Sequence, residues 1–211
     1  FEKILIMRLL EHQNFNNERA IVRVDFNVPL NNEFQVTDNT RIQAAKPTIQ
    51  YILSKGGSCV LLSHLGRPEG RDPKLSLKHI VKEVSNTLGV DVQFCSQTVG
   101  SEAESKASAQ KPGQVLLMEN LRFTKEETRG DKTFAEQLSR LGTVYVNDAF
   151  GTAHRAHAST TIISKFFLKK KCFGALLAKE VKAIDKVMKH GESPVVAILG
   201  GAKVSSKITI I

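Results

Sequence analysis

Short apolar runs of strand character recur along this chain, and a polar, turn-rich loop and then helical periodicity follow most of them. The runs are AIVRV at 20–24, SCVLL at 58–62, DVQF at 91–94, QVLLM at 114–118, TVYV at 143–146 and VVAIL at 195–199. They are nearly continuous in apolar character instead of alternating. That pattern marks strands buried on both faces, as in a parallel sheet covered by two helix layers. The expected fold is α/β: an open parallel sheet with helices on both faces, a three-layer, Rossmann-like αβα arrangement.

Between the runs, the spacing of apolar residues predicts helices over 41–45 and 47–54, divided because Pro47 removes an internal hydrogen bond. Further helices are expected over 77–88 after a Ser76 cap, weakly over 98–110, over 132–140 after an Asp131 cap, over 160–167 and over 174–189. Lys169–Lys171 reads as a basic turn. A new strand–helix pattern opens after residue 190, so a domain boundary is expected within or beside the 174–189 helix.

Composition narrows the function classes. Of 211 residues, 41% are hydrophobic and 24% charged, which is ordinary globular usage and excludes a disordered or collagen-like chain. No apolar run is long enough for a transmembrane helix. The stretch Ile4–Leu10 is interrupted by Arg8 and lacks a small-residue cleavage site, so no secretory signal is expected. The chain starts at Phe1, and a segment in front of it is expected to be missing. Cys59, Cys95 and Cys172 are far apart with no CxxC, which argues against a cysteine-built zinc site and points to a reducing, cytoplasmic setting. The net charge of +9 suits either a nucleic acid or a small anionic substrate. The first needs a broad basic stripe, the second a few arginines converging on one cleft.

A parallel sheet gathers the loops after its strands on one rim, where open α/β folds bind ligands. Asp25 and Asn27 follow the first strand. They can accept from a substrate hydroxyl and donate to a phosphate, or simply cap turns. Arg41 opens a helix, where the helix dipole disfavours a cation unless an anion sits nearby. His64 and Arg67 lie in SHLGRP, Arg122 in ENLRF, and Arg155 in NDAFGTAHRAHAS beside His154 and His157. Arginine forks hold phosphates through paired hydrogen bonds, and three such forks on one rim predict an anion pocket. The histidines offer only a weak metal set, since no nearby carboxylate or cysteine completes HRAH. No GxSxG marks a hydrolase, and Asp148 is as suited to fixing a loop as to chemistry. In GGAKVSSK, Gly201, Lys203 and Lys207 follow the last strand and could meet nucleotide phosphates at a helix start. The spacing is not that of a P-loop.

Taken in chain order, RVDFNVP (23–29), TRI (40–42), SHLGRP (63–68), ENLRF (119–123), NDAFGTAHRAHAS (147–159) and GGAKVSSK (200–207) resemble the phosphoglycerate kinase family. The resemblance implies the first domain of a two-domain kinase that moves a phosphoryl group between 1,3-bisphosphoglycerate and ADP, giving 3-phosphoglycerate and ATP in glycolysis and gluconeogenesis. It implies that Asp25 and Asn27 hold the substrate hydroxyl, that Arg41 meets the carboxyl or acyl-phosphate end, and that His64, Arg67, Arg122 and Arg155 surround the 3-phosphate. Lys203 would meet the phosphoryl group in flight, Lys207 the nucleotide phosphates, and Gly201 would line the same stretch. It also implies ATP or ADP with Mg2+, the metal ligand lying in a second domain beyond this chain, a cytoplasmic monomer when intact, and no nucleic-acid or membrane partner. The domains expected are 13–173 for glycerate binding, 174–190 as an interdomain helix and 191–211 as the start of a truncated nucleotide domain. Residues 1–12 are left unassigned.

Two departures from the family pattern carry expectations. Ser206 stands where the family usually has Asp, so a weaker nucleotide side is expected, with turnover rising when Asp is restored. With most of the second domain absent, the 211-residue piece is expected to bind 3-phosphoglycerate weakly without turnover and to expose the edge of the 195–199 strand. Rival expectations are a basic module for RNA or another polyanion, a different α/β phosphotransferase, and a vestigial, non-catalytic subunit.

Overall fold

The computed structural model describes residues 8–191 and residue 196. Apart from residue 196, the expected strand at 195–199 lies outside the described residues, as do Gly201, Lys203, Ser206 and Lys207 of GGAKVSSK. The elements are β1 (Arg19–Arg23), α1 (Thr40–Ser54), β2 (Ser58–Leu62), α2 (Val81–Leu88), β3 (Val92–Cys95), α3 (Ser101–Ser108), β4 (Val115–Met118), α4 (Lys125–Arg129), α5 (Lys132–Ser139), β5 (Val144–Asn147), β6 (Lys171–Phe173) and α6 (Ala175–His190). Six parallel strands form one sheet in the order β3-β4-β2-β1-β5-β6. The chain divides into two units, one ending at Lys179 and one beginning at Glu180. Among the described residues no helix is long and apolar enough to cross a membrane.

Two separate cores explain why the strands read as continuous apolar runs. On one face Ala20, Val22, Cys59, Leu61, Val115, Leu117, Val144 and Val146 pack with Ile42, Ala45, Ile49 and Ile52 of α1 and with Val84 and Leu88 of α2. On the other, Ile21, Val60, Leu62, Leu116, Met118 and Tyr145 pack with Ala103 and Ala107 of α3 and with Phe134, Ala135 and Leu138 of α5. Alternate residues of a strand point to opposite faces, so both sets must be apolar. Each large apolar side chain so buried contributes roughly 1.5–3 kcal/mol. The αβα layering expected from the sequence is the fold observed.

Several local expectations are corrected. The two helices expected around Pro47 are one helix, α1. Pro47 is exposed while Ile42, Ala45, Ile49 and Ile52 are buried, so the packed face outweighs a proline cost of about 3 kcal/mol. The 77–88 helix opens as a 3-10 turn over Leu77–Ile80, capped by the Ser76 side chain at the Lys78 N–H. Asp131 caps α5 by accepting from the Phe134 N–H at 2.7 Å. The helix expected over 160–167 is a π turn (Ala158–Ile162) running into a 3-10 turn (Ile163–Phe166). The basic turn at 169–171 instead leads into β6, an edge strand pairing Lys171 with Tyr145 of β5. Residues 9–12, unassigned in the sequence, pack beside it: Leu9 bridges Phe173, and Leu10 is buried. Helix α4 went unread because five residues are too few to show a period.

Candidate active site

All strands are parallel, so the loops leaving β1, β2, β4 and β5 share one rim. Arg67 from the β2 loop, Arg122 from the β4 loop, and Arg155 and His157 from the β5 loop line one open cleft of about 430 Å3. Pro68 and Glu69 beside Arg67, and Lys125 and Thr128 of α4, complete its wall, so one carboxylate stands among four cations. The Arg122 guanidinium is pulled below its ordinary pKa, first by burial and then by the neighbouring charges of Arg155, Arg23 and Arg67, with Glu127 opposing. Like charges gathered at a partly buried site repel one another unless an anion joins them. The cleft is therefore electrostatically poised for an anionic ligand.

A second group adjoins the first. The Asp25 carboxylate accepts from Arg41 Nη1 at 2.6 Å and stands 3.9 Å from His64 Nδ1. Asp25 is thus the anion that satisfies the cation at the start of α1. Arg23 Nη2 lies 3.3 Å from the same His64 nitrogen. His64 is pushed down to about 2, by burial first and then by Arg23, Arg122, Arg41 and His157. Its ring is therefore neutral near pH 7. With Nδ1 facing a guanidinium, that nitrogen accepts, which assigns the ring proton to Nε2.

Gly66 joins the two groups. Its N–H donates to Asn27 Oδ1 at 2.7 Å, and its carbonyl accepts from Arg122 Nη1 at 2.7 Å. The left-handed φ of +64° sets the relative orientation of the two peptide groups flanking Gly66, and glycine adopts it without strain. Asn27 therefore spends its oxygen on the loop, which leaves its amide N–H groups as donors. Behind the loop, buried Asn120 accepts from the Leu65 N–H and donates to the Leu65 and Leu75 carbonyls. Buried Glu119 accepts from the Ser76 hydroxyl and the Leu77 N–H.

The structure thus brings Arg67, Arg122 and Arg155 to one cleft. Arg41, Asp25, Asn27 and His64 form the adjoining group, outside that cleft's lining. His154 is exposed and does not line the cleft. Asp148 fixes the backbone: its Oδ1 accepts from the N–H groups of Leu176 and Leu177 at the start of α6. Among the described residues no group of three or more His, Cys, Asp or Glu is placed to hold a metal ion. Lys203, Lys207 and Gly201 lie outside the described residues.

Sequence reading passed over Arg23 and Glu127, both almost wholly buried. A signal for Arg23 was available. An arginine inside an apolar strand must find partners if that strand is central, and β1 is flanked on both sides. Glu127 left no comparable trace, since its KEETR setting reads as solvated.

The family model described as phosphoglycerate kinase matches residues 10–211. A phosphoglycerate kinase of Porphyromonas gingivalis is 48% identical over 226 residues, covering 96% of this chain and 54% of that protein. The cytosolic phosphoglycerate kinase of Nicotiana tabacum is 47% identical, covering 96% of this chain and 50% of its own length. A crystal structure of phosphoglycerate kinase from Pyrococcus horikoshii superposes with a TM-score of 0.87 at 30% identity, over 97% of this chain and 51% of that one. The chain thus spans about half the length of the relatives it matches.

Proposed function

The chain belongs to the phosphoglycerate kinase family, and on that premise we propose that it forms the glycerate-binding part of an enzyme transferring a phosphoryl group between 1,3-bisphosphoglycerate and ADP. The products in that direction are 3-phosphoglycerate and ATP. The observation that carries this reading is the single cleft shared by Arg67, Arg122 and Arg155. Three guanidiniums from three loops suit a phosphate dianion better than the flat stripe a nucleic acid would need.

In this reading the 3-phosphate enters the cleft among Arg67, Arg122, Arg155 and His157, with neutral His64 beside it as a hydrogen-bond donor. Asp25 holds Arg41 toward the carboxyl end of the glycerate, and the Asn27 amide donates to the substrate. Phosphoryl transfer asks for positioning and positive charge more than for covalent catalysis, and this arrangement supplies both. Gly201, Lys203 and Lys207 would face the nucleotide phosphates, and the helix over 174–190 would connect the glycerate region at 13–173 with the nucleotide region from 191. Among the described residues no three His, Cys, Asp or Glu side chains gather to hold a metal ion. A metal accompanying ATP would be held by groups beyond them. A cytoplasmic monomer is the form proposed, in keeping with the cytosolic tobacco relative.

Assay of the intact gene product in both directions tests the proposal. ATP should form from 1,3-bisphosphoglycerate and ADP, and ADP from 3-phosphoglycerate and ATP. Turnover of another phosphorylated acid in place of the glycerate would overturn it.

A further inference from the structure

One buried acid beneath the cleft takes no part in the substrate contacts just assigned. Glu127, on α4, is 1% exposed. Its carboxylate accepts the Ser159 N–H at 3.0 Å and the Ser159 hydroxyl at 2.6 Å. It also stands 3.9 Å from His157 Nδ1, a buried nitrogen with no hydrogen-bond partner. The Ser159 hydroxyl, while donating to Glu127, accepts from Arg23 Nε at 2.8 Å, and Arg23 reaches His64. A continuous buried path therefore runs from α4 through the 157–159 turn to the ends of β1 and β2. The end of α4 presses on the same segment: a Cβ added at Gly130 would collide with the Ala156 carbonyl.

A buried carboxylate loses its hydration, a cost that hydrogen bonds and opposite charge must offset. Here both do. The charged and titratable groups gathered around His157 are Arg67 and Glu69 after β2, Arg122 and Lys125 after β4, Arg155 on its own loop, Arg23 on β1 and neutral His64 after β2. Cations outnumber carboxylates here, and Glu127 is the buried counter-charge, 3.9 Å from His157 Nδ1, whereas Glu69 lies on the cleft wall. Burial holds the His157 pKa below its ordinary value, and Arg122, Arg155 and Arg23 act in the same direction, while Glu127 acts against them.

We propose that Glu127 is a positioning residue of the cleft: it clamps the 155–159 turn through Ser159 and serves as the fixed counter-charge under His157, so that Arg155 and His157 face the phosphate. This rests on the reading of the cleft as the 3-phosphate site. Substitution E127Q keeps the shape and removes the charge. S159A keeps the charge and removes the hydroxyl bond of the clamp together with the acceptor for Arg23 Nε.

The test joins calorimetry with 3-phosphoglycerate to an NMR titration of the His157 ring. With E127Q, affinity should fall roughly tenfold and the His157 midpoint should move below that of the parent chain. With S159A, affinity should fall roughly threefold to fivefold. Affinity within twofold of the parent, tighter binding (as a mere like-charge repeller would give), or an unmoved or raised His157 midpoint overturns the inference. If E127Q does not fold, S159A decides: binding within twofold of the parent overturns it. A parent chain that fails to bind 3-phosphoglycerate overturns the phosphate reading and this inference with it. Binding by the parent with insensitive variants overturns this inference alone.

Discussion

Arg122 and Gly66 sit on loops that follow different strands, yet the arginine's Nη1 donates to the glycine's carbonyl at 2.7 Å. The side chain lining the anion cleft therefore also shapes the neighbouring loop that carries His64 and Arg67. Removing it should cost twice over, through lost charge and through a freed loop. R122A is expected to weaken 3-phosphoglycerate binding about a hundredfold. R122K keeps the charge but loses the planar fork, so about tenfold is expected. Calorimetry on both variants checks this, and equal affinities for R122K and the parent would show that the fork is irrelevant.

Gly66 is the partner in that contact and has its own requirement. At φ +64° an added Cβ would come 2.9 Å from Leu75 Cδ2. G66A should destabilise the fold by about 1–2 kcal/mol through left-handed strain, with more if Leu75 cannot give way. It should also weaken 3-phosphoglycerate binding, because the N–H that reaches Asn27 would be displaced. Urea unfolding measures the first effect. A midpoint unchanged from the parent would mean the backbone relaxes at no cost.

Asp148 predicts a pH dependence of stability. Burial pushes its carboxyl up to about 6, against hydrogen bonds from Thr48, Leu177 and Leu176 that favour the charged form. A carboxyl whose folded pKa lies above its unfolded value binds protons more tightly when folded. Its contribution is present in full below about pH 4 and is lost as pH rises through about 6. The shift corresponds to about 3 kcal/mol at most. His64 slopes the other way, because its neutral folded form loses stability relative to the unfolded chain as pH falls below the ordinary imidazole value. The informative quantity is therefore the difference between the parent and D148N, in which the His64 slope cancels. The parent should lose stability relative to D148N between pH 4 and pH 7. A difference that stays flat across that range would contradict a raised Asp148.

Much of this architecture could be read from the chain because the strands are central and doubly covered. Burial on both faces forces the continuous apolar runs that mark β1, β2, β4 and β5. The short edge strand β6 has no such obligation: Lys171 and Phe173 are only half-buried and Cys172 alone is buried. It follows a lysine run, so it reads as a turn. At the site, exposed-looking arginines after strand ends were legible because parallel topology fixes which loops share a rim. The supporting layer was legible only in part, through an arginine set inside an apolar run. Whether Arg23 and Glu127 are buried depends on strand order and on how α4 meets the 157–159 turn, and neither is encoded in local periodicity. Asp25 illustrates the middle case: its place on the rim was readable, but its 2.6 Å pairing with Arg41 was not.

On the proposed function, guanidiniums from separate loops form one receptor for a phosphate on a three-carbon acid. Calorimetric titration of this chain with 3-phosphoglycerate, and in parallel with glycerate lacking the phosphate, decides whether that receptor exists. Such a receptor should bind 3-phosphoglycerate saturably and one to one, at least about tenfold tighter than glycerate, with added salt weakening the binding. Equal binding of the two acids, or no saturable binding of 3-phosphoglycerate, would contradict it.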